Sequence, residues 1–193
     1  KKNSSRAQRF LVSHGYKGKI FPVNPNREEI FGLKCYPNLK SINEHIDHIF
    51  IVVDSNKVIE VIKDAISKKV RCATILSGGF SESGSEGNDL EKHVFKIAKK
   101  GDLRILGPNS IGLINISDNV ILSANAMLEL QDLKKGSLAV ISHSGSLIGA
   151  LLAHGHSRGI GFSKLISVGN ELDLSVGAVS YTHPEPTRRL VIS

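Results

Sequence analysis

Short apolar runs alternate with amphipathic stretches along most of this chain. In HIFIVV (48–53) the apolar positions follow His48 without a break, the pattern of a strand buried on both faces. RCATILS (71–77) and LRILG (103–107) read the same way. Between them, NKVIEVIKDAISKK (56–69) sets Val58, Val61, Ile62, Ala65 and Ile66 on one face of a helix. NDLEKHVFKIAKKG (88–101) does so with Leu90, Val94, Ile97 and Ala98, and Gly101 is its stop. This rhythm predicts a parallel sheet with right-handed crossovers, a Rossmann-like α/β unit. KIFPV (19–23) predicts a further short strand, and a helix is expected around residues 4–14.

The rhythm fades over 112–127, where GLINI and NVILSA are short and irregular, and MLELQDLKKG (127–136) is polar enough for a linker or an edge. It resumes with SLAVIS (137–142), a helix over about 145–158, and FSKLISVG (162–169). A boundary therefore falls near residue 130. Residues 1–130 read as a Rossmann-like domain whose first strand is missing, because no strand precedes the first helix. Residues 131–193 read as the start of a second α/β domain, too short at about 60 residues to close a doubly wound sheet. The tail SYTHPEPTRRLVIS (180–193) is of doubtful origin: PEPTRRLVIS could open another strand, whereas SYTHPEPTRR looks foreign to the fold. No function is assigned to His183.

Composition narrows the function classes. With 40% hydrophobic and 22% charged residues among 193, the chain can bury a real core. No apolar run approaches the ~20 residues of a membrane span, and residues 1–15 lack the apolar stretch of a signal peptide. Cys35 and Cys72 have no close cysteine partner, which suits a reducing, cytoplasmic setting. The net charge is +7, but the basic residues are scattered, and three tyrosines without tryptophan offer little for base stacking. A phosphate-rich small ligand suits the charge better than nucleic acid.

Ligands of open α/β sheets bind at the carboxyl ends of strands. The segments expected there are Asn24-Pro25-Asn26-Arg27, Asp54-Ser55-Asn56, SGGFSESGSEG (77–87), GPNSIG (107–112), SHSGS (142–146) and GNELD (169–173). Such residues make turns in any protein, yet they also present backbone N–H groups without bulk, as an extended phosphorylated ligand requires. SHSGS is not a nucleophile elbow, because Ser142 and Ser146 stand where Gly-x-Ser-x-Gly needs glycine. Capped by Ser142 or Ser144, it is a helix start that favours an anion. His45 with His48, and His154 with His156, lack the partners of a metal site.

Taken in order, GYKGKIFPVNP (15–25), ILSGGFSESGSEG (75–87), ILGPNSIGLIN (105–115), LAVISHSGSL (138–147) and GFSKLISVGNELD (161–173) resemble the CoA-binding half of the NDP-forming acyl-CoA synthetases. These include ADP-forming acetate–CoA ligase and are related to the alpha subunit of succinyl-CoA synthetase. The resemblance spans roughly 3–175. It implies a CoA-binding Rossmann-like domain followed by the start of a flavodoxin-like, succinyl-CoA-synthetase-type domain. It also implies a ligase that joins a small carboxylic acid to coenzyme A through an acyl phosphate and a phosphohistidine. ATP and Mg would be handled by an ATP-grasp domain, fused or on a beta subunit. Asn24, Pro25, Asp54, Ser55, Ser77, Gly78, Gly79, Phe80, Gly107, Pro108, Asn109 and Ser110 match CoA-binding positions. Ser142, Ser144, Gly145, Gly169, Asn170 and Glu171 match phosphate-binding ones. The phosphohistidine is expected beyond Ser193, so no catalytic residue is assigned, and His143 stands where the family commonly has Gln or Arg. Two other readings compete. One is a non-catalytic CoA-binding or regulatory module, as in a protein lysine acetyltransferase. The other, a Rossmann oxidoreductase, lacks its glycine fingerprint here.

Overall fold

The computed structural model describes residues 5–130, 132–181 and 189–192. Helix α1 (Arg6–Ser13) is followed by a small antiparallel hairpin, β1 (Glu29–Ile30) and β2 (Leu33–Lys34). The expected strand over 19–23 does not form. Val23 makes only an isolated bridge to Tyr36, through Tyr36 N–H to Pro22 O and Asn24 N–H to Tyr36 O, both 2.8 Å. Pro22 has no N–H to extend a ladder, and Phe21 instead packs edge-on against Tyr36.

The predicted alternation then appears as β3 (His48–Ile51), α2 (Ser55–Ser67), β4 (Cys72–Ile75), α3 (Ser85–Lys100) and β5 (Arg104–Leu106). The three strands are parallel in the order β3-β4-β5. Val58, Ile62 and Ala65 of α2 and Val94 and Ala98 of α3 share one core with Ile49, Ile51, Ala73, Ile75 and Ile105. His48 belongs to this framework: its Nε2 lies 2.9 Å from Thr74 Oγ1, and burial pushes its pKa down to about 4. It is held neutral at ordinary pH by its surroundings.

The second sheet contains a departure from expectation. Residues 112–127, read as irregular, form the hairpin β6 (Gly112–Asn115) and β7 (Val120–Ser123). Asn119 in the left-handed region (φ 57) makes its turn, and Asn115 Nδ2 donates to Asp118 at 2.8 Å. The hairpin joins β8 (Lys135–Ser142), β9 (Phe162–Ser167) and β10 (Arg189–Ile192) in a five-stranded sheet ordered β10-β8-β9-β6-β7. β8 runs parallel to β9 and β10, whereas β6 is antiparallel to β9. The short carboxyl-terminal segment thus sits in a full sheet because strands from before residue 130 complete it. From the ambiguous tail, Arg189–Ile192 pairs in register with Ala139–Ser142. Helix α4 (Gly145–Ser157) buries Ile148 and Leu152 against Val140, Leu165, Ile114 and Ile121, and Phe10 of α1 enters this same core. A short helix, α5 (Val176–Tyr181), precedes β10. No helix among the described residues is long and apolar enough to cross a membrane.

Candidate functional site

The six expected loops do not all line one sheet edge. Three follow β3, β4 and β5, and two follow β8 and β9. Asn24 and Pro25 stand apart, because the hydrogen bonds of Asn24 run only to residues 26–36. The remaining five converge. Ser77 Oγ donates to Val53 O, tying the β4 loop to the β3 loop, and Asp54 begins α2 beside it. Gly79 has φ +93, backbone that favours glycine, and a Cβ there would fall 2.9 Å from Ser55 Oγ of the β3 loop. Asn109 N–H to Ser77 O (3.0 Å) and Ser110 N–H to Ile75 O (3.1 Å) lay the β5 loop against the β4 loop. That turn contains a cis Gly107–Pro108 bond and a left-handed Asn109 (φ 56).

Several matched residues shape these loops from within. Phe80 is fully buried in the first core, so its phenyl ring packs the loop down and is not on the surface. Ser110 is also buried, and its hydroxyl donates to Ser167 O at 2.6 Å. Gly79 N–H and Phe80 N–H are both taken by Glu82 Oε1, at 2.7 and 3.2 Å. Burial pushes the Glu82 carboxyl up, but the Asn170 amide and the N–H groups of Phe80 and Gly79 outweigh it and hold the carboxyl below its ordinary value. Glu82 is therefore an internal anion that presets the Gly-Gly-Phe turn.

The second sheet reaches this loop system through residues 169–174. Asn170 N–H donates to Pro108 O (2.9 Å), Leu172 N–H to Gly107 O (3.0 Å) and Leu174 N–H to Ile105 O (3.1 Å). Asp173 accepts from Ile105 N–H at 2.9 Å and from Arg104 Nε at 2.8 Å. This segment covers the open edge of β5, which would otherwise expose unpaired backbone groups. The Asn170 amide also donates to Ser81 and Glu91, at 3.2 and 2.9 Å. One side chain thus ties the two groups of loops together.

At the start of α4, Ser144 is the N-cap: its Oγ accepts from Leu147 N–H at 3.2 Å. Ser142 is buried, and its Oγ accepts from Ser144 N–H at 3.0 Å. The N–H groups of Gly145 and Ser146 take no hydrogen-bond partner among the described residues and carry the positive end of the helix dipole. His143 lies beside them with Nε2 3.1 Å from Glu171 Oε2, while Glu171 Oε1 accepts from Val176 N–H. Glu171 therefore braces the turn. An open cleft of about 530 Å³ adjoins the α4 start, is lined by Ile111 and reaches Leu76, which follows β4. Glu91 and Asn125 escaped the sequence reading, and Glu82 and Asp173, although inside the expected segments, were given no role there, since only the fold brings them to their partners. No cluster of three metal-ligating side chains occurs among the described residues.

Glycine-rich loops at the ends of parallel strands, tied through residues 169–171 to a capped helix start with free donors, place the chain among α/β proteins whose strand-end loops suit an extended, phosphorylated ligand. The chain belongs to the CoA binding domain family, whose model matches residues 1–116. Residues 135–191 match the succinyl-CoA ligase like flavodoxin domain. The chain is 37% identical to "Acetate--CoA ligase [ADP-forming] II" of Archaeoglobus fulgidus, over 85% of this chain and 24% of that one. It is 40% identical to "Acetate--CoA ligase [ADP-forming] II subunit alpha" of Pyrococcus furiosus, over 81% of this chain and 33% of that one. A solved structure of "Ca. Korarchaeum cryptofilum dinucleotide forming Acetyl-coenzyme A synthetase 1 in complex with phosphate and ADP" superposes with a TM-score of 0.89 at 33% identity, covering 98% of this chain and 40% of that one. The chain thus spans about a quarter to a third of the curated relatives just named.

Proposed function

We propose that this chain is the CoA-binding portion of an ADP-forming acid–CoA ligase, which converts a carboxylate, CoA and a nucleoside triphosphate into acyl-CoA, NDP and phosphate. The observation that carries this reading is the hydrogen-bonded junction of residues 107–110 with 169–172, which sets the loops matched to CoA beside the helix start matched to phosphate. Phosphoryl transfer needs oriented donors around mobile charge, and Gly145 N–H, Ser146 N–H and the Ser144 hydroxyl supply them. CoA lies across Asp54, Ser55, Ser77, Gly78, Gly79, Gly107 and Asn109, with Asn24 and Pro25 toward its nucleotide end. The phosphohistidine belongs to sequence beyond this chain. ATP and Mg²⁺ act in an ATP-grasp domain, fused or on a beta subunit, in a cytoplasmic enzyme. The two-domain division near residue 130 fits this reading, with the β6–β7 hairpin passing from the first segment into the second sheet.

A thermal-shift titration tests it. CoA raises the melting temperature of the chain, and NAD does not. Stabilisation by NAD with none by CoA would overturn the proposal.

A further inference from the structure

We propose that the end of the first sheet opposite the candidate CoA loops is an interaction surface for an acidic polypeptide. Basic residues that are scattered in the sequence meet there. Gly101, the stop of α3, lies against the last turn of α2, where a Cβ on it would fall 2.5 Å from Ile66. Arg104 N–H donates to Arg71 O at 2.9 Å and aligns the starts of β4 and β5. The fold thereby gathers Lys68, Lys69 and Arg71, between α2 and β4, with Lys96, Lys99 and Lys100 at the end of α3. In segments 64–71 and 96–104 the other charges are spent: Asp64 is held by Lys40 at 2.8 Å, and Arg104 by Asp173 at 2.8 Å. Lys69, Arg71, Lys96, Lys99 and Lys100 form no ion pair among the described residues. Asp102 is left beside six cations, so this surface carries most of the chain's net charge of +7. Helix dipoles account for cations in a last turn, such as Lys99 and Lys100. They do not account for Lys96, a turn earlier, or for Arg71, immediately before β4.

The surface lacks what other polyanions use. It has no large exposed hydrophobic side chain to enter a bilayer: Val12, Val23, Phe31, Val52 and Ile160 all lie in other segments. Segments 64–71 and 96–104 hold no aromatic side chain to stack on a base, and the neighbouring Phe95 ring is already faced by Lys99 Nζ at 5.7 Å. Five of the six cations are lysines, whose point charges suit separate carboxylates, whereas bidentate capture of phosphate favours arginine. The carboxyl ends of α2 and α3 also point unpaired carbonyls this way, which repel an anion pressed onto the backbone. Long lysine stems reach past them to carboxylates borne on equally long glutamate side chains. Because the surface precedes β4 and β5, a partner seated on it leaves the loops after those strands open.

Fluorescence anisotropy of a labelled decaglutamate peptide titrated with the chain tests the inference, which stands apart from the CoA-ligase reading. Binding is expected at ~50 mM salt and weakens about tenfold at ~200 mM, as screening shortens the reach of exposed charges. Lys69→Gln, Lys99→Gln and Lys100→Gln together weaken it about tenfold. Lys17→Gln, Lys34→Gln and Lys135→Gln together make the same change of net charge at exposed lysines elsewhere, and weaken it no more than about twofold. Arg71→Gln with Lys96→Gln, which leaves the last turn of both helices intact, weakens it about fivefold. Absence of decaglutamate binding, equal losses in the surface and control variants, or tighter binding of a single-stranded oligonucleotide of equal charge or of phosphatidylserine vesicles overturns the inference.

Discussion

Alanine at Gly169 probes the junction of the two loop groups. Gly169 has φ +59, and a Cβ there would fall 2.1 Å from the Pro108 carbonyl oxygen and 2.9 Å from the Asn109 carbonyl. These obstacles are backbone atoms, so no side-chain rotation relieves them. The left-handed conformation alone costs alanine ~1–2 kcal/mol. Relieving the clash also loosens Asn170 N–H to Pro108 O and Leu172 N–H to Gly107 O, each worth about 1 kcal/mol net. The total is about 3–4 kcal/mol, a large share of the ~5–15 kcal/mol that stabilises a typical domain. Gly32→Ala is the control: φ is +74 and nothing lies within 4 Å of its Cβ, so it carries only the conformational part. Urea unfolding of both variants reads the difference. Gly169→Ala is expected to lose about 2 kcal/mol more than Gly32→Ala. Equal losses would mean that the loops do not press on each other, and the account of the junction would fail.

Ser144→Ala removes the N-cap of α4 and should cost about 1 kcal/mol in the same unfolding assay, while Ser146→Ala costs a few tenths. Glu82 is lowered in the folded chain, so its bracket stabilises above the ordinary glutamate value of 4.5 and is lost as pH falls through the lower folded value. Glu82→Gln should accordingly flatten the stability–pH curve below pH 4.5; a slope equal to wild type there would rule the bracket out. His143 touches Glu171 from a half-exposed position, so His143→Gln should leave CoA affinity within about twofold, and a large loss by calorimetry would assign it a direct role.

Strands β3, β4, β5, β8 and β9 and helices α2, α3 and α4 were legible because their cores are written locally. Ile49, Ile51, Ala73, Ile75 and Ile105 stand in short unbroken apolar runs, and Val58, Ile62 and Ala65 repeat at helical spacing. The expected helix over about 145–158 is observed at Gly145–Ser157. What failed depended on partners distant in sequence. KIFPV has strand-like composition, but its only ladder partner is Tyr36. GLINI and NVILSA become strands by pairing with each other, and GLINI also pairs with β9, 49 to 53 residues further on. Of the site, the loops themselves were readable from glycine, serine and asparagine clusters. The roles within them were not: Phe80 looks like a loop residue yet is core, and Glu82 looks like a surface acid yet closes the Gly79–Phe80 turn. Residues 170–174 bear no strand signal, because their hydrogen bonds go to the edge of β5.

Hydrogen exchange of the chain with and without CoA tests the central claim most directly. The claim is that CoA lies across the loops after β3, β4 and β5. Peptides covering 52–56, 77–80 and 107–110 should exchange more slowly when CoA is bound, and those covering 68–71 and 99–103, at the opposite ends of the strands, should not change. Slowing confined to that opposite end, or absent from all three loops, would contradict the account.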